Sequence, residues 1–217
     1  MIEYVIPNNP DDRILDRIST VLDAGKVVVL PTDTNWVFVA SIKKSQGAER
    51  LYRIKGLDRH KHLTVLCNSI SQASHYAVIS NAQYRLIRPK LPGPFTFIFN
   101  PTSHLPRVLK SYKRDKEIGI RVPQSTLISR LIEAHQSPLV STSLTLDLLL
   151  HNLAPEFCKE LGGVEEIYSY LIEEAFSNQV EVVVDSEGTE LSGNSTVVDF
   201  SNQEEGPQII RQGSGTF

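Results

Sequence analysis

A chain of 217 residues, 41% hydrophobic and 22% charged, has the make-up of one globular α/β-sized domain whose core needs no disulfide or metal staples. Its formal net charge of -3 hides a separation: residues 50–130 hold 15 Lys and Arg against 3 Asp and Glu, and the remainder holds 7 against 22. No apolar run nears the roughly 20 residues of a membrane span, and Met1-Ile2-Glu3-Tyr4 lacks a signal-peptide pattern, so a cytoplasmic protein that does not enter membranes is expected.

Asn9-Pro10-Asp11-Asp12 opens a helix, with Asn9 as the cap and Ile14, Leu15, Ile18, Val21 and Leu22 as the inward stripe; Gly25 closes it. Val27 to Leu30 reads as a strand buried on both faces, with pairing expected to end at Pro31 and the strand at Thr32. Val37–Ala40 is a second strand, and Ser45–Ile54 a helix stopped by Gly56. Leu63–Cys67 is a strand, followed by short helices at Ser71–Tyr76 and Asn81–Arg88. Leu91-Pro92-Gly93-Pro94 is a rigid turn into the strand Phe95–Phe99. Ile118–Val122 is a strand, Ser125–Ala134 a helix, and Leu139–Ser141 a strand ending in hydroxyls. Residues 155–177 read as helical, and 147–179 as a helical insertion within a single domain spanning 1–217. Val180–Asp185, Thr196–Phe200 and Gln208–Arg211 are late strands, and Gly213-Ser214-Gly215-Thr216 reads as a frayed tail. Helices alternating with short β-branched strands predict an α/β architecture around a twisted, mixed sheet.

Cys67 and Cys158 form no Cys-x-x-Cys pair and read as buried thiols, while His60 and His62 lack partners at zinc spacing, so no metal site is expected. No glycine-rich phosphate loop is present, and no Ser or Cys carries a catalytic-triad signature. What the chain offers instead is a polar group at the end of many elements. Thr32 and Thr34 end one strand, Lys55 closes a helix, Arg121 precedes Pro123, Ser141 to Ser143 end another strand, Ser195 opens a late one and Arg211 ends the last. Ligands of open α/β sheets bind at strand ends, and separated hydroxyls and cations of this kind suit an anion. An arginine in an apolar strand needs a partner, so Arg121 is expected to meet either a ligand or a buried carboxylate. Asp33 reads as a turn cap, Asp199 as structural and Trp36 as a core aromatic.

Several of these motifs in this order resemble the YrdC-like proteins, which include the threonylcarbamoyl-adenylate synthases. The resemblance runs from about Val27 to Arg211. It rests on Pro31-Thr32-Asp33-Thr34, Lys55, Leu91-Pro92-Gly93-Pro94-Phe95-Thr96, Arg121-Val122-Pro123, Ser141-Thr142-Ser143, Ser195-Thr196-Val197-Val198-Asp199 and Ile210-Arg211-Gln212-Gly213. It implies a YrdC-like fold with a positively charged concave cleft, ATP with Mg²⁺, threonine and bicarbonate as substrates, and threonylcarbamoyl-AMP and pyrophosphate as products, a first step of tRNA modification. By position, Lys55, Ser143 and Arg211 would bind ATP, and Thr32, Arg121, Ser141 and Ser195 would bind threonine, with Thr34 as a further candidate.

This sequence departs from the synthase pattern in ways that are similar to the YciO branch. Lys-x-Arg becomes Lys55-Gly56-Leu57, with Arg59 as a candidate substitute, and Ser-Ala-Asn becomes Ser143-Leu144-Thr145. Asn35-Trp36-Val37 stands where Tyr-Gly is usual, and Leu66 where a histidine is. Losing a bidentate cation at a phosphate site costs a few kcal/mol, so weak adenylate synthesis is expected. The alternative is a non-catalytic protein binding double-stranded RNA or tRNA, with Arg85, Arg88, Lys90, Arg107, Lys110, Lys113, Arg114 and Lys116 as phosphate contacts. A monomer or weak dimer is expected.

Overall fold

Four consecutive buried residues with no polar interruption fit only an interior strand, and the run from Val28 takes that place. A computed structural model describes residues 1–56, 63–110, 117–157, 167–186, 188–202 and 206–217. Its strands are Ile2–Tyr4 (β1), Val28–Pro31 (β2), Trp36–Ser41 (β3), Thr64–Leu66 (β4), Phe95–Phe99 (β5), Ile118–Arg121 (β6), Leu139–Ser143 (β7), Val182–Asp185 (β8), Thr196–Asp199 (β9) and Gln208–Arg211 (β10). Its α-helices are Asp12–Asp23 (α1), Ser45–Ile54 (α2), Ile70–Tyr76 (α3), Asn81–Ile87 (α4), Arg107–Lys110 (α5), Thr126–His135 (α6), Leu146–Asn152 (α7) and Ser169–Phe176 (α8).

All ten strands join one mixed sheet in the order β1-β8-β2-β3-β7-β4-β6-β5-β9-β10. Four neighbouring pairs are parallel (β1 with β8, β8 with β2, β4 with β6, β5 with β9) and the other five antiparallel. Pairing of β2 with β3 ends at Pro31 opposite Trp36, where proline has no N–H left to give.

The two faces are covered unequally. On one, Leu51 of α2, Leu149 of α7 and Ile172 and Phe176 of α8 pack with Phe38, Phe97 and Phe99 in a continuous core, Phe38 meeting Phe176 edge-on at 5.0 Å. On the other, Leu15, Ile18 and Leu22 of α1 and Leu127, Leu131 and Ile132 of α6 cover Val28, Leu30, Val37, Val39, Leu66 and Leu139. Side chains two apart on a strand share a face. Ser141 and Ser143 therefore continue the face of Leu139, and Thr64 that of Leu66, beyond the reach of α1 and α6. Ser141 pairs with Thr64 and Thr64 with Gly119, a row of small or polar residues that ends at Ile98 of β5.

Four expectations change. Asp11, not Asn9, caps α1, accepting the Arg13 N–H at 2.8 Å. β7 runs two residues past Ser141, because Thr142 and Ser143 pair with Phe38 and Val37. Of the segment 155–177 read as helical, 158–166 lie outside the described residues; at its start the Phe157 N–H closes a turn onto the Ala154 carbonyl, and α8 begins at Ser169. Residues 213–216 are not frayed; the Gly213 N–H bonds Thr196 Oγ1 at 2.9 Å and the Ser214 N–H bonds the Asn194 carbonyl at 2.9 Å. Cys158, Arg59, His60, Lys61, His62, Lys113, Arg114 and Lys116 lie outside the described residues. No described helix is long and apolar enough to cross a membrane.

Candidate functional site

The uncovered half of the sheet floors a cavity of about 560 Å³, within the usual range for small-molecule sites. Seven residues singled out from sequence line it: Lys55, Arg121, Ser141, Thr142, Ser143, Ser195 and Arg211. They come from the end of α2 and from β6, β7, β9's approach and β10. Thr64, Thr96 and Gly119, which sequence reasoning did not select, complete the floor. Their signal was the same period-two alternation, small and polar against bulky, that marks a strand with one unpacked face. Among the described residues lining this cavity, three are cations and none is a carboxylate.

Lys55 caps α2, and its Nζ donates to Thr142 Oγ1 at 2.7 Å, tying the helix end to the tip of β7. Arg211 sits on the outermost strand and donates from Nε and Nη2 to the Ser195 carbonyl at 3.1 and 2.8 Å, and from Nη2 to Ser195 Oγ at 3.1 Å. Ser195 Oγ also lies 3.0 Å from Thr96 Oγ1. Ser141 Oγ donates to the Thr64 carbonyl at 3.2 Å.

Arg121 has its carboxylate partner. Its Nη2 forms a buried ion pair with Asp33 and reaches Thr32 Oγ1 at 3.3 Å, while Arg121 Nε and Asp33 Oδ2 are buried without a hydrogen-bond partner. Burial pushes the Arg121 guanidinium below its ordinary value; Asp33 opposes that, and neighbouring Arg211 adds to it. Burial lowers Arg211 in the same direction. A guanidinium that is desolvated, half-paired and beside a second guanidinium gains from an added anion.

Thr32 and Thr34 do not line this cavity. The Thr32 hydroxyl, fully buried, accepts the N–H groups of Thr34 and Asn35 at 3.0 and 3.1 Å and donates to the Asn35 carbonyl at 2.8 Å, so it builds the turn from β2 to β3. Thr34 is buried against it, with Oγ1 3.1 Å from Thr32 Oγ1. Thr32 and Asp33 border a second hollow of about 540 Å³, where burial pushes the Cys67 thiol up to about 12 and leaves it protonated. Trp36 is buried, its Nε1 donating to the Ile167 carbonyl at 3.1 Å. Asp199 accepts the Ser201 N–H at 2.7 Å, a turn contact.

Three cations and three serines on one lining without a carboxylate make an arrangement chemically suited to negative charge. A Ser-His contact does occur, Ser41 Oγ with His135 Nε2 at 2.8 Å, but both side chains are buried between β3, α1 and α6 and line no described cavity. The cavity lining therefore offers positioning and cationic stabilisation rather than a nucleophile with its base. Among the described residues no three His, Cys, Asp or Glu side chains are grouped so that they could hold a metal ion. Of the cations read as nucleic-acid contacts, Arg85, Arg88, Lys90 and Arg107 lie outside this lining, and Lys90 Nζ donates to the Thr216 carbonyl at 2.8 Å.

A family model, Sua5/YciO/YrdC, described as telomere recombination, matches residues 20–213. The chain belongs to the Sua5/YciO/YrdC family. Within it, Escherichia coli YciO is 32% identical over 212 residues, 98% of this chain and 95% of that one. The crystal structure of E. coli YciO matches with a TM-score of 0.83 over 100% of this chain and 97% of the other, at 30% identity. Mouse threonylcarbamoyl-AMP synthase is 28% identical over 180 residues, 83% of this chain and 60% of that protein. The fold alone is shared with P. abyssi Sua5 complexed with L-threonine, TM-score 0.77 at 21% identity, over 98% of this chain and 57% of that one. The α/β fold with helices flanking a mixed sheet is thus the family's fold.

Proposed function

We propose that this Sua5/YciO/YrdC protein binds ATP, as its Mg²⁺ complex, and threonine in the 560 Å³ cavity and forms threonylcarbamoyl-AMP and pyrophosphate from them and bicarbonate. Lys55, Ser143 and Arg211 would meet the phosphates. Arg121, through its unpartnered Nε, would meet the amino-acid carboxylate, with Ser141 and Ser195 beside it. The observation that carries the reading is the convergence of three cations and three serines, from segments up to 156 residues apart, on one lining without an acid. Kinship with a threonylcarbamoyl-AMP synthase and a shared fold with a threonine complex support the choice of substrates. The chemistry needs little from the protein beyond alignment of carboxylate and α-phosphate and neutralisation of phosphate charge. With Leu57 in place of an arginine, turnover should be slow.

The test is pyrophosphate release from a mixture of ATP, Mg²⁺, threonine and bicarbonate. Release should need all three substrates, and Lys55→Ala should slow it about 10- to 100-fold, the worth of one hydrogen bond to a charged group. Equal rates for the two proteins, or release without threonine, would remove the reading.

A further inference from the structure

The chain runs on past Arg211 through Gln212-Gly213-Ser214-Gly215-Thr216-Phe217, a composition that reads as flexible. We propose that Gly213–Phe217 is a clamp that fixes Ser195 and Arg211 in the cavity, which makes Thr196 and Phe217 positioning residues; this rests on the reading of that cavity as an anion site.

The clamp has two anchors. Thr196, fully buried, spends its hydroxyl on both sides of a tight bend, accepting the Gly213 N–H at 2.9 Å and donating to the Gly215 carbonyl. Gln212 Nε2 adds a bond to the same carbonyl at 2.7 Å, and the Ser214 N–H holds the Asn194 carbonyl at 2.9 Å. The approach is too close for any side chain. A Cβ on Gly213 would collide with the Asn194 carbonyl oxygen, and one on Gly215 would lie 2.6 Å from the Phe95 ring. The second anchor is Phe217, whose ring centre lies 6.0 Å from those of Phe97 and Phe200 and 6.4 Å from that of Phe95. Lys90 Nζ stands 5.9 Å above it.

What the anchors hold is the segment Asn194–Thr196, and both guanidinia of the cavity depend on that segment or its neighbours. Arg211 projects from an edge strand whose four residues are all exposed, so the Ser195 carbonyl and hydroxyl set its direction. Asn194 Oδ1 accepts from Asn35 Nδ2 at 3.1 Å, the Gly193 N–H bonds the Thr34 carbonyl at 3.0 Å, and Ser192 Oγ donates to the Asp33 carbonyl at 2.7 Å. These bonds carry the turn whose Asp33 side chain holds Arg121. An arginine fixed before a ligand arrives loses less rotamer entropy on binding than one that must be gathered in. The clamp supplies that fixing from a side of the sheet no ligand touches.

Thr196→Val tests the proposal, since it keeps shape and removes only the hydroxyl, and Thr196 does not line the cavity. Phe217→Ala tests the other anchor, with Phe217→Tyr as the conservative variant. Two readouts are needed. In the ligand-free protein, NMR of arginine Nε–H groups, with the Arg211 signal identified by its loss in Arg211→Lys, should show hydrogen exchange at least tenfold faster in Thr196→Val and Phe217→Ala. Titration with inorganic pyrophosphate at low salt should show affinity about tenfold weaker in both, and near wild type in Phe217→Tyr. Unchanged Arg211 exchange and unchanged pyrophosphate affinity, with only a lower melting temperature, would reduce the tail to packing and overturn the clamp. If Phe217→Ala does not fold, Thr196→Val decides. Wild-type protein that binds neither pyrophosphate nor ATP would defeat the proposed function, while Arg211 exchange would still decide the clamp.

Discussion

Removing the charge of Asp33 should make the protein less stable and a better anion binder at once. The ion pair with Arg121 is buried, the side chains being 13% and 5% exposed. Breaking such a pair from one side costs about 3–5 kcal/mol, because the remaining charge stays in low dielectric without compensation. Asp33→Asn keeps the shape and one acceptor facing Arg121 Nη2, so the lower end, about 3 kcal/mol, applies. For a chain of this length that is a fall in melting temperature of about 6–12 °C. The same change leaves Arg121 facing Arg211 with no carboxylate between them and the cavity, so pyrophosphate should bind more tightly than to the wild type. The two effects then meet in one measurement. At a hundred times its dissociation constant, pyrophosphate adds about 2.7 kcal/mol and should restore most of the lost melting temperature. Arg121→Met combined with Asp33→Asn should regain stability, since a buried pair can be replaced by uncharged groups at little cost, yet show no anion rescue. Thermal scans of the wild type and the two variants with and without pyrophosphate decide it. An Asp33→Asn protein as stable as wild type, or one that binds pyrophosphate less well, would refute the idea that Asp33 restrains Arg121.

Gly119 lies mid-floor, where an added Cβ would sit 3.1 Å from Thr64 Oγ1 and 3.4 Å from Thr96 Cγ2; Gly119→Val should abolish ATP binding by calorimetry while the circular dichroism spectrum stays native. Gly47 lets α2 lie against β3, its would-be Cβ being 2.8 Å from Ala40 Cβ, so Gly47→Ala should cost about 1–3 kcal/mol in urea unfolding and displace Lys55 with the helix. Burial lowers the pKa of His135, held between Ser19 Oγ at 3.0 Å and Ser41 Oγ at 2.8 Å, with Asp23 raising it and Lys43 lowering it. The unfolded chain then binds the extra proton first: the contribution of His135 is complete above about pH 6.5 and fades as pH falls from there toward the depressed folded value. His135→Gln should therefore flatten the loss of urea stability between pH 6.5 and 5; an unchanged acid limb would count against a neutral buried ring.

Local signals carried far in this sequence where one element decides its own fate. The helix Ser45–Ile54 and the strands Phe95–Phe99 and Gln208–Arg211 start and stop where periodicity, Gly56 and Pro94 place them. The failures share a cause, which is that the deciding partner lies far away in sequence. β1 is three residues with no alternation of its own, made a strand by Val183 and Asp185. The hydroxyls Thr142 and Ser143 lie past the strand Leu139–Ser141 as read from sequence and join it because β3 pairs with them. Gly-Ser-Gly-Thr has a linker's composition, and its order comes from Asn194, Thr196 and Phe95. For Arg121 the chemistry demanded a partner, and the strand pattern told nothing of which acid would supply it; Asp33 is 88 residues away.

The site was more legible than those details because it depends on a rule that holds across the whole sheet. A strand position facing a helix must be apolar, and Leu139, Leu66 and Val39 obey this beneath α1 and α6. One step further along β7 and β4 stand Ser141 and Thr64, with Gly119 of β6 paired beside Thr64, choices that would cost stability under a covering helix because their polar groups would be buried or their space left empty. All three line the cavity, and the cations Lys55, Arg121 and Arg211 line it with them. On β4 and β7 the same face thus changes from core to cavity floor within two residues. The position of α1 and α6 sets where that change occurs, so a ligand bound in the cavity would contact the continuation of the protein's own second core.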